Sequence, residues 1–550
     1  MLKVALVQLN PHVANIEENS NKIISYINQA KLKGVDLVVF PELSICGYPP
    51  MDFLNFSEFV NNCNKAINKI AEECTDIAAI VGGPLVNPLP EGKDLYNAAF
   101  ILEAGKIKQT IKKTLLPNYD VFDEYRYFEP NNEFQLVTCK GVKMALTICE
   151  DLWNLNSNPL YIKNPMDELI KFEPDLMINI AASPFSYTHP QKRKEVLIDN
   201  ISKYNIPVMY VNQSGAQTEL VFDGNSQVMN TDGTSFCMRS FDEAMEVFCV
   251  ENNYILPLDN LRKTYTQNAD FSEYELIEWA LVQGIRDYFK KSGFSKAILG
   301  LSGGVDSALV QVLATKALGV ENVLPVLMPS QYSSDHSVSD SLKLIENLGC
   351  KEHFIVPIKS VYTEIENTLK PFFLDKPANV TEENIQSRIR GLYVMALSNK
   401  HGHILLNTSN KSELAVGYGT LYGDMAGGLS VIGDLYKTQV YKLCEWINKD
   451  QEIIPNNILI KAPSAELRPG QKDSDSLPDY DILDKILYHY IEENNSANQL
   501  IEMGYEANLV NRILRLVNMN EYKRKQTPPI LRVSPRAFGS GRRMPIVAKY

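Results

Sequence analysis

Two α/β domains in tandem are what this sequence predicts, and three observations carry the prediction. At 550 residues the chain is too long for a single core of ordinary size, so two domains or more are expected. Short apolar runs of strand character recur along it, and in the second half they alternate with helical periods, the pattern of a doubly wound parallel sheet. Ionisable residues collect just after those runs, at the carboxyl ends of strands, where α/β folds assemble their chemistry.

Composition narrows the function classes. Hydrophobic residues make up 45% and charged residues 22%, an ordinary soluble globular balance. The net charge of −12 argues against nonspecific nucleic-acid binding. No apolar run approaches the roughly 18 residues a membrane span requires, and Met1 to Leu9 reads as a strand, not a secretory leader. A cytoplasmic protein is expected. Nine cysteines form no C-x-x-C pair, which disfavours a disulfide framework or zinc knuckle; any special cysteine is expected to be catalytic.

The first half opens with the strand Leu2–Leu9. A helix capped by Asn15 follows, carrying Ile16, Ile23, Ile24 and Ile27 and stopped by Gly34. The strand 36–40 ends in Pro41-Glu42-Leu43, which puts a carboxylate at a sheet edge. Ile77–Val81 is another strand, and 97–102 forms a hairpin through Ala104-Gly105-Lys106 into a strand bearing Lys112 and Lys113. A turn-rich stretch then leads to Glu124. Val142–Ile148 ends in Cys149-Glu150-Asp151, and Leu176–Ile180 ends in Ala181-Ala182-Ser183-Pro184-Phe185. Asp232-Gly233 turns a further hairpin, and a last strand lies near 244–250. Four strand ends thus present a Glu, a Lys, a Cys and a Ser-Pro-Phe.

The motifs Phe40-Pro41-Glu42-Leu43, Lys113-Thr114-Leu115-Leu116-Pro117 and Ile148-Cys149-Glu150-Asp151-Leu152-Trp153 resemble the nitrilase family of carbon–nitrogen hydrolases over roughly residues 2 to 250. That likeness implies an αββα sandwich with a Glu-Lys-Cys triad. Cys149 would be the nucleophile on an amide carbonyl, Glu42 its general base, and Lys113 the oxyanion stabiliser. Lys112 competes with Lys113 on position. Glu124 would orient Lys113 or assist proton transfer, and Cys46, in a loop with no acid after it, is taken as structural. By likeness to the family's glutaminases, Tyr119 and Ser183 are candidate glutamine contacts. Where the family commonly carries Lys, this chain has His189, with Arg193 nearby as the alternative.

The second half, 263–550 against 1–262 for the first, begins with a helix over 274–288. Its centre is Gly300-Leu301-Ser302-Gly303-Gly304-Val305-Asp306-Ser307, which follows a strand and opens a helix through Leu309, Val312, Leu313 and Leu318. Gly303 and Gly304 let backbone N–H groups approach an anion, the helix dipole adds positive potential, Ser302 and Ser307 add hydroxyls, and Asp306 offers a hard ligand for Mg²⁺. The Lys of the common nucleotide loop is missing. The stretch resembles instead the N-type ATP pyrophosphatases, which adenylate an acid or amide. Strands at 322–328, 354–358 and 403–407, with a helix at 333–348, complete the alternation.

Six further pieces, 383–390, 407–413, 422–428, 436–438, 463–467 and 522–524, occur in the order of the NAD synthetase family. Behind a nitrilase-like domain they resemble its glutamine-dependent members. The resemblance implies ATP at 300–307, Thr408 and Lys437; Mg²⁺ on Asp306 and Glu413; and deamido-NAD near Asn384, Arg388, Glu413, Asp424 and Lys523. It also implies a homo-oligomer. Rival readings are another ATP pyrophosphatase amidotransferase, or an ammonia-fed synthetase carrying a noncatalytic first domain.

Overall fold

The computed structural model describes residues 1–155, 159–258, 271–374 and 376–549. The chain divides into two compact units, Met1–Phe271 and Ser272–Tyr550. The expected boundary at 262/263 lies outside the described residues. Among the described residues no helix is long and apolar enough to cross a membrane.

Among the described residues, unit 1 is built on fifteen strands. They are β1 (Leu2–Gln8), β2 (Leu37–Val39), β3 (Ala78–Val86), β4 (Leu95–Glu103), β5 (Lys106–Lys112), β6 (Val137–Cys139), β7 (Val142–Ile148), β8 (Leu176–Ala181), β9 (Val208–Asn212), β10 (Ser214–Gln217), β11 (Leu220–Asp223), β12 (Gln227–Met229), β13 (Ser235–Cys237), β14 (Ala244–Glu251) and β15 (Tyr254–Pro257). Two sheets stack, with orders β15-β14-β1-β2-β3-β4-β5 and β13-β12-β9-β8-β7-β6. Alternation along the strands explains the layering. Leu2, Val4, Leu6, Leu37, Val39 and Ile80 share one core with Met144, Ile178 and Val208 of the second sheet. The intervening Ala5, Val7, Val38, Ala79 and Val81 pack instead on Ile23 and Ile27 of helix α1 (Ile16–Leu32) and Ile67 and Ile70 of α2 (Ser57–Glu72). Helices α3 (Pro165–Leu169) and α4 (His189–Tyr204) pack on the second sheet through Met166, Leu169, Leu197 and Ile201. The result is the expected αββα sandwich.

Among its described residues unit 2 holds five parallel strands, β16 (Ala297–Gly300), β17 (Val323–Leu327), β18 (Phe354–Ile355), β19 (Ile404–Asn407) and β20 (Leu429–Ser430). Their spatial order is β18-β17-β16-β19-β20, so chain direction across the sheet reverses between β16 and β19. A crevice opens at such a switch point. β18 is shorter than the expected 354–358, because Val356 keeps one bond to Leu327 and Ile358 already turns to Pro329. Helices α5 (Glu273–Lys291), α6 (Val305–Leu318), α7 (Asp335–Leu348), α8 (Lys359–Phe373) and α9 (Val380–His401) belong to the doubly wound part. The remainder is helical: α10 (Lys411–Val416), α11 (Lys437–Ile447), α12 (Asn456–Ile460), α13 (Tyr480–Ile491), α14 (Ala497–Glu502), α15 (Ala507–Met519) and α16 (Glu521–Arg524). Leu414, Leu483, Leu487, Leu500, Ile513 and Val517 knit α10, α13, α14 and α15 into a second small core.

One close approach sets the Glu42 segment. A Cβ on Gly82 of β3 would lie 2.3 Å from Leu43 N and 2.6 Å from Pro41 O, so only glycine lets the strand touch the turn. Gly82→Ala is expected to destabilise unit 1 by about 1–3 kcal/mol. An unchanged midpoint in urea unfolding, followed by circular dichroism, would contradict that.

Candidate active sites

In unit 1 the structure brings four of the expected residues to one place. Glu42 and Lys113 have no exposure, and Glu124 and Cys149 are buried. β5 ends at Lys112, but Lys113 keeps the register through its N–H to Asn97 O at 2.8 Å. Alternation then decides between the two lysines. Lys112 lies over the Tyr96 ring, and Lys113 points inward, its Nζ donating to Glu42 Oε1 at 2.7 Å and Glu124 Oε1 at 2.9 Å. Asn97 Nδ2 bridges the same two carboxylates at 2.7 and 3.3 Å. Tyr48 OH donates to Glu124, and Ala182 N to Glu42 Oε2 at 3.0 Å.

Cys149 sits where β7 turns into a short helical segment, with φ at 45°. Asp151 fixes that turn. Its Oδ2 accepts from Ile148 N at 3.0 Å, and its Oδ1 accepts from Thr114 N and Leu115 N at 3.0 and 2.8 Å. Burial, and then Glu42, push the Cys149 thiol well above its usual range, so the resting sulfur is protonated. Burial opposes the charge on Lys113, but Glu124 and Glu42 outweigh it and hold the ammonium well above its ordinary value. Burial raises Glu124 to about 7, against the pull of Lys113. Cys46 is buried, its thiol turned to Leu43 O at 3.6 Å.

Of the candidate glutamine contacts, Tyr119 donates to both oxygens of Glu150 at 2.9 and 3.0 Å. Glu150 was not anticipated, although it directly follows the cysteine. Ser183 Oγ lies 2.8 Å from His189 Nε2, and the imidazole stacks on Trp153 with centroids 4.9 Å apart. Arg193 is committed elsewhere: its guanidinium pairs with Asp223 at 2.8 and 3.0 Å, fully buried. Of the two, His189 is the one beside Ser183.

In unit 2 a cavity of about 290 Å³ opens at the switch point. It is lined by Gly300 to Ser307 after β16, Thr408 and Glu413 after β19, and Asp424 and Lys437. Gly303 has φ +78°, and a Cβ there would fall 2.4 Å from Ser337 O. Ser302 N donates to Ser307 Oγ at 3.2 Å, which closes the loop on the start of α6. Asp306 accepts from Asn410 Nδ2 at 2.9 Å and pairs with Lys437; Glu413 lies 3.7 Å from the same ammonium. Burial and the nearby Asp306 raise Glu413 to about 8, and against burial the two carboxylates hold Lys437 charged.

Asn384, Arg388 and Lys523 do not line this cavity. All three hold the loop that leads to Asp424. Asn384 accepts from Thr420 Oγ1 at 2.7 Å, Arg388 Nε donates to Leu421 O at 3.2 Å, and Lys523 Nζ donates to Gly417 O and Gly419 O at 2.8 Å. The helical period explains it: residues 384 and 388 share one face of α9, and position 390 falls on another. Arg390 therefore lines the cavity, its Nε on Met328 O at 3.1 Å. Lys461, Glu466 and Asp473 line it too; of these the sequence singled out only the motif around Glu466.

The carbon-nitrogen hydrolase family model matches residues 3–247 and the NAD synthase model residues 277–527. A glutamine-dependent NAD(+) synthetase of Synechocystis is 46% identical over 560 aligned residues, covering 100% of this chain and 99% of its own. The chain belongs to the glutamine-dependent NAD(+) synthetases. The Thermotoga maritima synthetase is 41% identical, with 100% and 99% covered. A solved synthetase from Acinetobacter baumannii, described in complex with adenosine diphosphate, superposes with a TM-score of 0.78 at 37% identity over 99% of this chain and 98% of that one. As a family member the chain is a ligase, with a nitrilase-like glutaminase module ahead of its NAD synthase domain.

Glu124 provides a test of the unit 1 electrostatics. Its folded value near 7 stands above the ordinary 4.5, so its protonated form favours folding below pH 4.5 and that contribution is lost as pH rises through 7. Glu124→Gln is expected to make the decline in unit 1 stability between pH 5 and pH 8 shallower by up to about one proton's worth. Urea midpoints at the two pH values measure it, and an unaltered slope would contradict the assignment.

Proposed function

We propose that this synthetase makes NAD at two centres, with Cys149, Glu42, Lys113 and Glu124 releasing ammonia from glutamine and the unit 2 cavity consuming it. The observation that carries the proposal is a buried ammonium held between two carboxylates beside a neutral thiol. Glu42 takes the thiol proton as sulfur attacks the amide carbon, and Lys113 stabilises the oxyanion. As the oxyanion collapses the C–N bond breaks and Glu42 returns that proton to the leaving nitrogen, which departs as ammonia and leaves a thioester on Cys149. The same carboxylate then activates water against the thioester. Tyr119, Ser183 and His189 hold the glutamine.

In unit 2 the 300–307 loop and Thr408 hold the phosphates of ATP, and Asp424 faces deamido-NAD. Asn384, Arg388 and Lys523 shape its site from behind, through the Gly417–Asp424 loop. A carboxylate is a poor electrophile, so the nicotinate carboxyl attacks the α-phosphorus, pyrophosphate leaves, and ammonia displaces AMP from the adenylate. Asp306 and Glu413 converge on one cationic position, taken by the Lys437 ammonium, and this donor set fits Mg²⁺. When bound, Mg²⁺ neutralises charge on the departing pyrophosphate. Lys437, released from the two carboxylates, would be the residue that meets phosphate. Ammonia in neutral water is mostly ammonium, which is no nucleophile, so internal passage between the centres keeps it reactive. On composition and net charge we place the enzyme in the cytoplasm, binding neither nucleic acid nor membrane, and on the family resemblance alone as a homo-oligomer.

The test supplies ATP, Mg²⁺ and deamido-NAD with either glutamine or ammonium, and measures NAD, AMP and glutamate. Wild type is expected to make NAD from both nitrogen sources, and Cys149→Ala from ammonium alone. Asp306→Asn is expected to lower both routes by about 10²-fold. Glutamine-driven NAD from Cys149→Ala with ammonium excluded would remove Cys149 as the nucleophile.

A further inference from the structure

Lys411 is fully buried, and the chemistry above does not use it. Its Nζ meets Asp434 Oδ1 at 2.9 Å, Glu492 Oε1 at 2.8 Å, Ser534 Oγ at 2.8 Å and Arg536 O at 2.9 Å. Of its neighbours in the chain, Glu413 lines the cavity and Asn410 and Ser412 hold residues that do. Asn410 holds Asp306 at 2.9 Å, Ser412 Oγ accepts from Lys437 N at 2.9 Å, and Glu413 lies 3.7 Å from Lys437 Nζ.

We infer that Lys411 is a positioning residue for the nucleotide site, tying the 410–413 segment to a clasp formed by residues 530–536 near the C-terminus. The inference rests on reading the cavity as the ATP site. α10 has six residues, too few to hold itself in water, so its orientation must come from tertiary bonds. Asn410 cannot supply it alone, because its side chain is already divided between capping Glu413 N at 3.0 Å and donating to Asp306. The clasp is itself firmly built. Ile530 bridges Ser430 in parallel beyond the sheet edge, and Asp434 accepts from Val533 N at 2.8 Å, Ser534 N at 2.6 Å and Ser534 Oγ at 2.7 Å. Lys411 is the buried cation joining this clasp to the segment that presents Asn410, Ser412 and Glu413.

Full-length Lys411→Met, Lys411→Arg and Ser534→Ala are compared with wild type by calorimetric titration with ATP and MgCl₂, and by NAD synthesis fed with ammonium. Lys411→Met is expected to raise the Kd and KM for ATP about tenfold, with a smaller change in kcat. Lys411→Arg should recover most of this. Ser534→Ala keeps every charge paired and should raise both constants about threefold; it decides the matter if Lys411→Met does not fold. A merely structural role would lower kcat with the folded fraction seen by circular dichroism and leave Kd and KM in place, and that result would overturn the inference. Wild-type turnover on ammonium tests the parent reading separately.

Discussion

The interaction on which unit 1 depends is the ammonium of Lys113 between Glu42 and Glu124, at 2.7 and 2.9 Å and out of contact with water. Isolated burial of any of these charges would cost several kcal/mol. Together they are tolerated because every carboxylate oxygen has at least one donor. Asn97 supplies two, Tyr48 one and the backbone of Ala182 another. Asn97 lies on β4 and Lys113 directly continues β5, so the hairpin register itself sets where the cation stands. Removing either acid would leave the ammonium half compensated.

Unit 2 meets a related problem in a related way. Asp306 and Glu413 are brought together by the loops after two adjacent strands, and Lys437 from α11 sits against both. The physical difference lies in permanence. The first ammonium is enclosed by side chains on every side, whereas the second borders an open cavity. Under the function proposed above, a bound cation would take the place of the Lys437 ammonium between the two carboxylates. Charge is redistributed there without being newly buried.

Much of this could be read from residue order. Strand ends bearing Glu42, Lys113, Cys149 and Ser183 were visible because apolar runs stop abruptly at polar residues. The switch-point loop showed itself by its paired glycines. What escaped was whatever depends on helical phase or on packing between distant segments. α2 was passed over although Val60, Cys63, Ile67 and Ile70 follow helical spacing. Arg390 was passed over for Arg388, since a shift of two positions along α9 turns a side chain to another face and no charge pattern marks which face is inside. The choice between Lys112 and Lys113 needed the register of β5 on β4. Arg193 looked free until Asp223, thirty residues away, was seen to hold it. The clasp at 530–536 has no motif at all, because its partners Asp434 and Lys411 are set by topology.

Asp151 carries a consequence of its own. One carboxylate accepts N–H bonds from Thr114 and Leu115, next to Lys113, and from Ile148, next to Cys149. Segments from two different sheets are thereby stapled at their reactive ends. Sliding one layer past the other would have to break bonds to this single carboxylate, so the placing of Cys149 relative to Lys113 is tied to one side chain as well as to the packing between the sheets.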